Sequence, residues 1–215
     1  MSLKNLSQFF DRIVAGVALP ARVQREIIDA VLVIDTSPSM EEKDYPPSRL
    51  AAAKSAAEQF VSQRKASGVE GRIGQVHFGE IASVGCRLTP CENDGAIKAS
   101  IEKMSVIQGT NITSGLLAAE SLFNQSRKRG AVQEVRLLTD GTHNVGPLPH
   151  EVAERMKGQG CIIYTLGIGG HRKAVDEALL KQICSRNENG EPLYEFISDR
   201  QGLMRYFGNA GGLTR

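Results

Sequence analysis

A mainly parallel α/β sheet with helices on both faces is the fold class this sequence predicts. Two observations carry the prediction. Short apolar runs of strand length alternate with amphipathic stretches of helix length along most of the chain, and that alternation puts parallel strands in one layer between helices. One pair of runs, Arg72 to Phe78 and Ala82 to Leu88, is separated only by a short turn containing Gly79 and Glu80. This predicts a hairpin, and with it one antiparallel edge strand.

Taken in order, Leu3 to Val17 spaces Leu6, Phe9, Phe10, Ile13, Val14 and Val17 for one face of a helix, which Pro20 ends. Residues 1–29 are therefore expected to be an N-terminal amphipathic helix and linker, residues 30–207 the main domain, and the glycine-rich residues 208–215 a flexible tail. Ala30 to Ile34 is a continuous apolar strand. Ser48 is a good N-cap for a helix from Arg49 to Lys65 that aligns Leu50, Ala53, Ala57, Phe60 and Val61. After the hairpin, helices are expected over 94–104 and 111–129, a strand over 134–139 and a helix over 148–157. A strand over 161–166, a helix over 173–185, a strand over 193–197 and a helix over 200–207 complete the pattern. The strands number six.

The chain has 215 residues, enough for one domain with a sizeable core, and its 41% hydrophobic and 23% charged content is ordinary for a globular protein. A net charge of +2 gives no argument for nucleic acid or an anionic membrane surface. The local exception, Arg127-Lys128-Arg129 before Gly130, is expected to complement the negative end of a helix dipole. No apolar run reaches the length of a membrane span, and Gln8, Asp11 and Arg12 interrupt any signal-like region, so a cytoplasmic, unanchored chain is expected. Cys86, Cys91, Cys161 and Cys184 include no CxxC pair; they are expected to be free thiols, with Cys161 and Cys184 buried.

Function is expected where ligands bind in such sheets, beyond the carboxyl ends of the strands. Three stretches meet that condition: "DTSPS" at 35–39, "GTNITSG" at 109–115 and "LTDG" at 138–141. Each alone has an ordinary reading: Ser37 and Ser39 as turn caps, Thr110 as a helix N-cap, Asp140-Gly141 as a turn. Together they offer two carboxylates and several hydroxyls, an oxygen-only set that suits a hard divalent cation, Mg²⁺ or Mn²⁺. Neutral hydroxyl ligands leave such an ion strongly electropositive, so it would grip an anionic oxygen from another molecule.

The order Asp-x-Ser-x-Ser after a strand, Thr before a later helix and Thr-Asp-Gly after another strand resembles the von Willebrand factor type A (VWA) domain and its metal-ion-dependent adhesion site (MIDAS). The likeness runs from about Ala30 to Phe207 and includes "YTLGIGG" at 164–170. It implies a doubly wound sheet. It also implies direct metal contacts from Ser37, Ser39 and Thr110, and mainly water-mediated ones from Asp35 and Asp140. Stretches 39–60, 71–79, 87–95 and 137–169 are similar to bacterial VWA proteins encoded beside MoxR-type AAA+ ATPases. This implies a non-enzymatic adaptor that recognises an acidic residue on a partner, with such an ATPase as a candidate. The chain departs from that group in three ways. Pro38 replaces the usual glycine between the serines, His143 replaces an asparagine, and the membrane spans common in the aerotolerance members are missing. His143 and Asn144 are expected on the partner-binding rim.

The alternative is a divalent-metal-dependent hydrolase acting on phosphoesters. The chain has no GxxxxGK[ST] loop, no GxSxG elbow and no HExxH helix, and Ser37 stands where an aspartyl phosphatase would want a second acid. No base with a clear role is visible, so the expectation is a binding module and not an enzyme.

Overall fold

The computed structural model describes residues 27–212, so the expected helix over residues 3–17 lies outside the described residues. Six strands form one sheet: β1 (Ile27–Asp35), β2 (Gly71–Phe78), β3 (Ala82–Pro90), β4 (Ala131–Thr139), β5 (Ile162–Ile168) and β6 (Tyr194–Ile197). Their order is β3-β2-β1-β4-β5-β6. The β2–β3 pair is antiparallel and all other pairs are parallel, which makes β3 the antiparallel edge.

Among the described residues six α-helices cover the two faces. We number them α1 (Arg49–Ala66), α2 (Asp94–Glu102), α3 (Ile112–Gln125), α4 (His150–Gly158), α5 (Glu177–Ile183) and α6 (Arg200–Gly212). The faces follow from strand alternation. Ala30, Leu32 and Ile34 of β1 pack with Ala53, Ala57 and Phe60 of α1, Ile97 of α2 and Phe207 of α6. Val31 and Val33 pack on the other side with Leu116 of α3, Val152 of α4 and Leu179 of α5. Both faces of β1 are therefore buried, and each fully buried aliphatic side chain contributes ~1.5–3 kcal/mol. Gly115 lets α3 lie close to the sheet: a Cβ there would stand 2.9 Å from Val33 and 3.0 Å from Phe78.

The chain winds outward from β1 through β2 to β3, then crosses back to β4 on the other side of β1 and winds outward through β5 to β6. The carboxyl ends of β1 and β4 thus flank the switch point, the place where doubly wound sheets open a crevice.

Several boundaries differ from expectation. The helix expected over 111–129 ends at Gln125, because Ser126 turns its hydroxyl back to the Leu122 carbonyl and gives its own carbonyl to Arg72. The cluster 127–129 therefore does not sit in the last helical turn; Lys128 pairs with Glu70 at 2.8 Å instead. The helix expected over 173–185 starts only at Glu177. Val175 is extended, and Asp176 caps the new start by accepting from the Leu179 amide at 3.0 Å. The last helix runs past Phe207 to Gly212. All four cysteines are free, with Cys91, Cys161 and Cys184 buried. Among the described residues no helix is long and apolar enough to cross a membrane.

Candidate functional site

β1 ends at Asp35 because the next residues turn onto their neighbours. The Ser37 amide donates to Asp35 Oδ1 at 2.8 Å, and Pro38 opens a short 3₁₀ turn over Pro38–Glu41. Thr36 donates from both its amide and its hydroxyl to the Phe78 carbonyl, at 2.7 and 3.0 Å, and so fixes the loop to the tip of β2. Met40 is buried beneath it.

From β4 come Thr139 and Asp140. Thr139 Oγ1 donates to Asp35 Oδ2 at 2.5 Å, joining the tips of the two central strands. Ser39 Oγ donates to Asp140 Oδ1 at 2.8 Å and lies 3.1 Å from Ser37 Oγ. Asp35, Ser37, Ser39 and Asp140 are therefore linked into one run of hydrogen bonds.

Thr110 arrives from a third loop. Gly109 before it takes φ +73°, a conformation that favours glycine. Asn111, not Thr110, caps α3, accepting from the Ser114 amide at 3.0 Å. The Thr110 backbone is clamped to Asn144: its amide donates to Asn144 Oδ1 at 2.9 Å, and the Asn144 amide donates to its carbonyl at 3.0 Å. The Thr110 hydroxyl has no protein partner among the described residues. It lines a cleft of about 500 Å³ together with Ser39, Asp140, Asn144 and His171. The five oxygen-bearing residues singled out from the sequence thus gather at one strand-tip site, Asp35 and Ser37 beneath the cleft and the other three on its wall.

The two expected rim residues part ways. Asn144 is exposed and lines the cleft. His143 turns toward α3: its Nδ1 accepts from the Ile112 amide at 3.2 Å, which leaves the proton on Nε2 to face the Gly146 carbonyl at 3.3 Å.

Arg49 is the residue that sequence reasoning missed. It is 5% exposed and reaches Asp140 Oδ2 through Nη1 at 2.8 Å, while Nε and Nη2 make a two-pronged bond to Asp44 at 2.9 and 2.7 Å. Nη2 also meets Glu42 at 2.5 Å. A signal for it existed: a cation in the first turn of a helix opposes the helix dipole, so Arg49 needs a local reason to be there.

The electrostatics follow from burial. Burial, and then the nearby charge of Asp140, push Asp35 up to about 7 against the opposing hydrogen bonds from Thr139 and Ser37. Burial also raises Asp140, while Arg49 and Ser39 pull it back. The hydrogen bond from Arg49 holds Asp44 below the usual carboxylate range. Two buried carboxylates at one place, one hydroxyl without a protein partner and an all-oxygen donor set fit a hard divalent cation.

Comparison with known proteins agrees with the fold. Residues 29–203 match the von Willebrand factor type A domain. A UPF0353 protein of Mycobacterium sp. (strain KMS) is 29% identical over 197 residues, which cover 81% of this chain and 57% of that protein. The chain spans about half the length of the curated UPF0353 relatives it matches, for example 48% of the Mycolicibacterium vanbaalenii protein. BatB from Bacteroides thetaiotaomicron is similar in structure at 20% identity and a TM-score of 0.68, over 84% of this chain and 95% of that one. Proximal thread matrix protein 1 of the mussel byssus, solved with a zinc-occupied MIDAS motif, has a TM-score of 0.69 at 21% identity, over 85% of this chain and 46% of that one. At these identities the structural likenesses show the fold.

Proposed function

The chain belongs to the von Willebrand factor type A family, and from that premise we propose that it is a metal-dependent protein-binding module whose partner supplies a carboxylate. VWA domains are commonly protein-interaction modules. The observation that carries the finer reading is the gathering of Asp35, Ser37, Ser39, Thr110 and Asp140 from three loops at the switch point of the sheet.

In this reading Ser37, Ser39 and Thr110 would hold Mg²⁺ or Mn²⁺ directly, and Asp35 and Asp140 mainly through water. The bound ion would supply an open electropositive position for an acidic side chain. The zinc-occupied MIDAS motif of the mussel protein supports a divalent ion at such a site. The chain's own residues do the positioning. Thr139 fixes Asp35, Asn144 fixes the Thr110 backbone, and Arg49 takes the second oxygen of Asp140 so that the first faces Ser39. Arg49 also draws Glu42 and Asp44 into pairs at the cleft wall, which lowers their repulsion of an incoming carboxylate.

The likeness to VWA proteins encoded beside MoxR-type AAA+ ATPases makes such an ATPase the first candidate partner, with the chain acting as its adaptor. No enzymatic step is assigned. The test is capture of an ATPase of that class on immobilised full chain, with Mg²⁺ or with EDTA. Capture should need the metal and should fail in Thr110→Ala. Equal capture in every lane would remove the strand-tip cluster as the binding surface. Turnover of generic phosphoesters that depends on Asp35 would support the hydrolase alternative instead.

A further inference from the structure

We infer that the cleft between α6 and the amino-terminal half of the sheet binds a small organic anion, a phosphate or carboxylate on an apolar body. The inference does not rest on the strand-tip reading, since this cleft lies at the opposite end of the strands.

The interior beneath this cleft carries a charge imbalance. Arg64 of α1, Glu134 and Arg136 of β4 are buried, at 1%, 2% and 4% exposure. Glu134 accepts from Arg64 Nη2 with one oxygen and from Arg136 Nη2, at 3.2 Å, with the other. One carboxylate therefore serves two guanidinium groups, and one positive charge is left over in the interior. Unmatched buried charge is costly, and a donor without a partner adds to that cost. Nε and Nη1 of Arg64 and Nε of Arg136 have no hydrogen-bond partner among the described residues. Aromatic neighbours offset part of the cost. The Arg136 guanidinium stacks 3.9 Å from the Tyr164 ring centre and donates to the Tyr206 hydroxyl at 3.1 Å. Neither ring supplies a negative charge.

Arg136 lines a cleft of about 1370 Å³, roomier than the ~300–1,000 Å³ that holds most small ligands. Its walls are mixed: Ile28, Val132 and Ile162 are apolar, and the aromatic residues Tyr164 and Tyr206 also line it. The exposed residues on its rim include Arg186 and Arg205, neither ion-paired among the described residues, alongside Glu188 and Glu195. The rim is thus near balance, and the excess positive charge lies inside, shared by Arg64 and Arg136, of which Arg136 reaches the cleft. An anion entering there meets an arginine that is already oriented, and planar guanidinium groups suit phosphate and carboxylate. The tyrosine rings and aliphatic wall favour a ligand whose anionic group sits on an apolar body.

The test is calorimetric titration of the full chain with phenyl phosphate, and separately with inorganic phosphate. EDTA is present throughout, so that no metal at the strand tips can receive the anion. Phenyl phosphate should bind saturably, more tightly than inorganic phosphate, and about tenfold more weakly in Arg136→Met, the loss of one charge-assisted contact. That variant leaves Glu134 and Arg64 as a matched pair, which protects the fold. A second measurement needs no variant: in NMR spectra of the parent protein, the signals of Tyr164 and Tyr206 should move with phenyl phosphate while the amides of Thr110 and Gly141 stay still. No saturable binding, unchanged affinity in Arg136→Met, or shifts confined to the strand tips would each overturn the site. Equal affinity for the two probes would overturn the apolar body of the ligand.

Discussion

Asp140 is held from both sides: Ser39 donates to one carboxylate oxygen and Arg49 to the other, each at 2.8 Å. A single buried arginine thereby connects the metal-site candidate to the start of α1. Removing it would leave Asp140 buried without its counter-charge and release Asp44 and Glu42 as well. Arg49→Ala should therefore lose about 3 kcal/mol of stability at neutral pH in EDTA, measured by urea unfolding. Added Mg²⁺ should recover part of the loss, because a divalent ion replaces the missing positive charge. A loss close to that of a surface ion pair, below ~1 kcal/mol, would show that Asp140 does not depend on Arg49.

Thermal unfolding checks the metal assignment. An ion at a hundredfold its dissociation constant stabilises the folded chain by ~2.7 kcal/mol. The Tm of the parent should rise with Mg²⁺ or Mn²⁺, and the rise should be much smaller in Asp35→Asn. Equal rises would place the ion elsewhere.

Much of this arrangement was legible in the sequence because strand ends announce themselves. The apolar run into Asp35, the serines at alternate positions after it, and the Thr-Asp-Gly after β4 are all local patterns, and parallel pairing of β1 with β4 brings them together. Arg49 was not legible as a site residue. It sits 91 positions from Asp140, and a helix-start arginine resembles many that only face solvent. The end of α3 and the start of α5 depart from the periodicity for another reason. Periodicity continues past Gln125 and before Glu177, but Ser126 and Asp176 compete for the backbone with their own side chains. His143 was legible as a neighbour of the rim, yet its bond to the Ile112 amide depends on a loop conformation that spacing does not encode.

Cysteine reactivity should separate into two classes. Burial pushes the Cys91 thiol up to about 11 and the Cys161 thiol up to about 12, so neither forms much thiolate at neutral pH. Cys184 is also buried, and Cys86 is only half-buried. Native protein treated briefly with iodoacetamide should be labelled first at Cys86, and unfolded protein should yield four labelled thiols. Mass spectrometry of the digested chain reads both. Early labelling of Cys161 would contradict its place in the core.

Gly115→Ala tests the close approach of α3 to the sheet. The added methyl would meet Val33 and Phe78 at 2.9 and 3.0 Å, inside normal contact. Overpacking of this kind costs ~1–3 kcal/mol, read by chemical denaturation. Because α3 follows directly from Thr110, the same variant should also weaken metal binding.

The most direct measurement is titration of the full chain with Mn²⁺, following the free ion by electron paramagnetic resonance. Thr110 comes from a different loop than Ser37 and Ser39, and its hydroxyl supports no other contact among the described residues, so it reports on the assembled site. A metal site at the strand tips requires one saturable Mn²⁺ per chain in the parent and about tenfold weaker binding in Thr110→Ala, with the Tm in EDTA unchanged. No saturable binding in the parent, or equal binding in the two proteins, would contradict it.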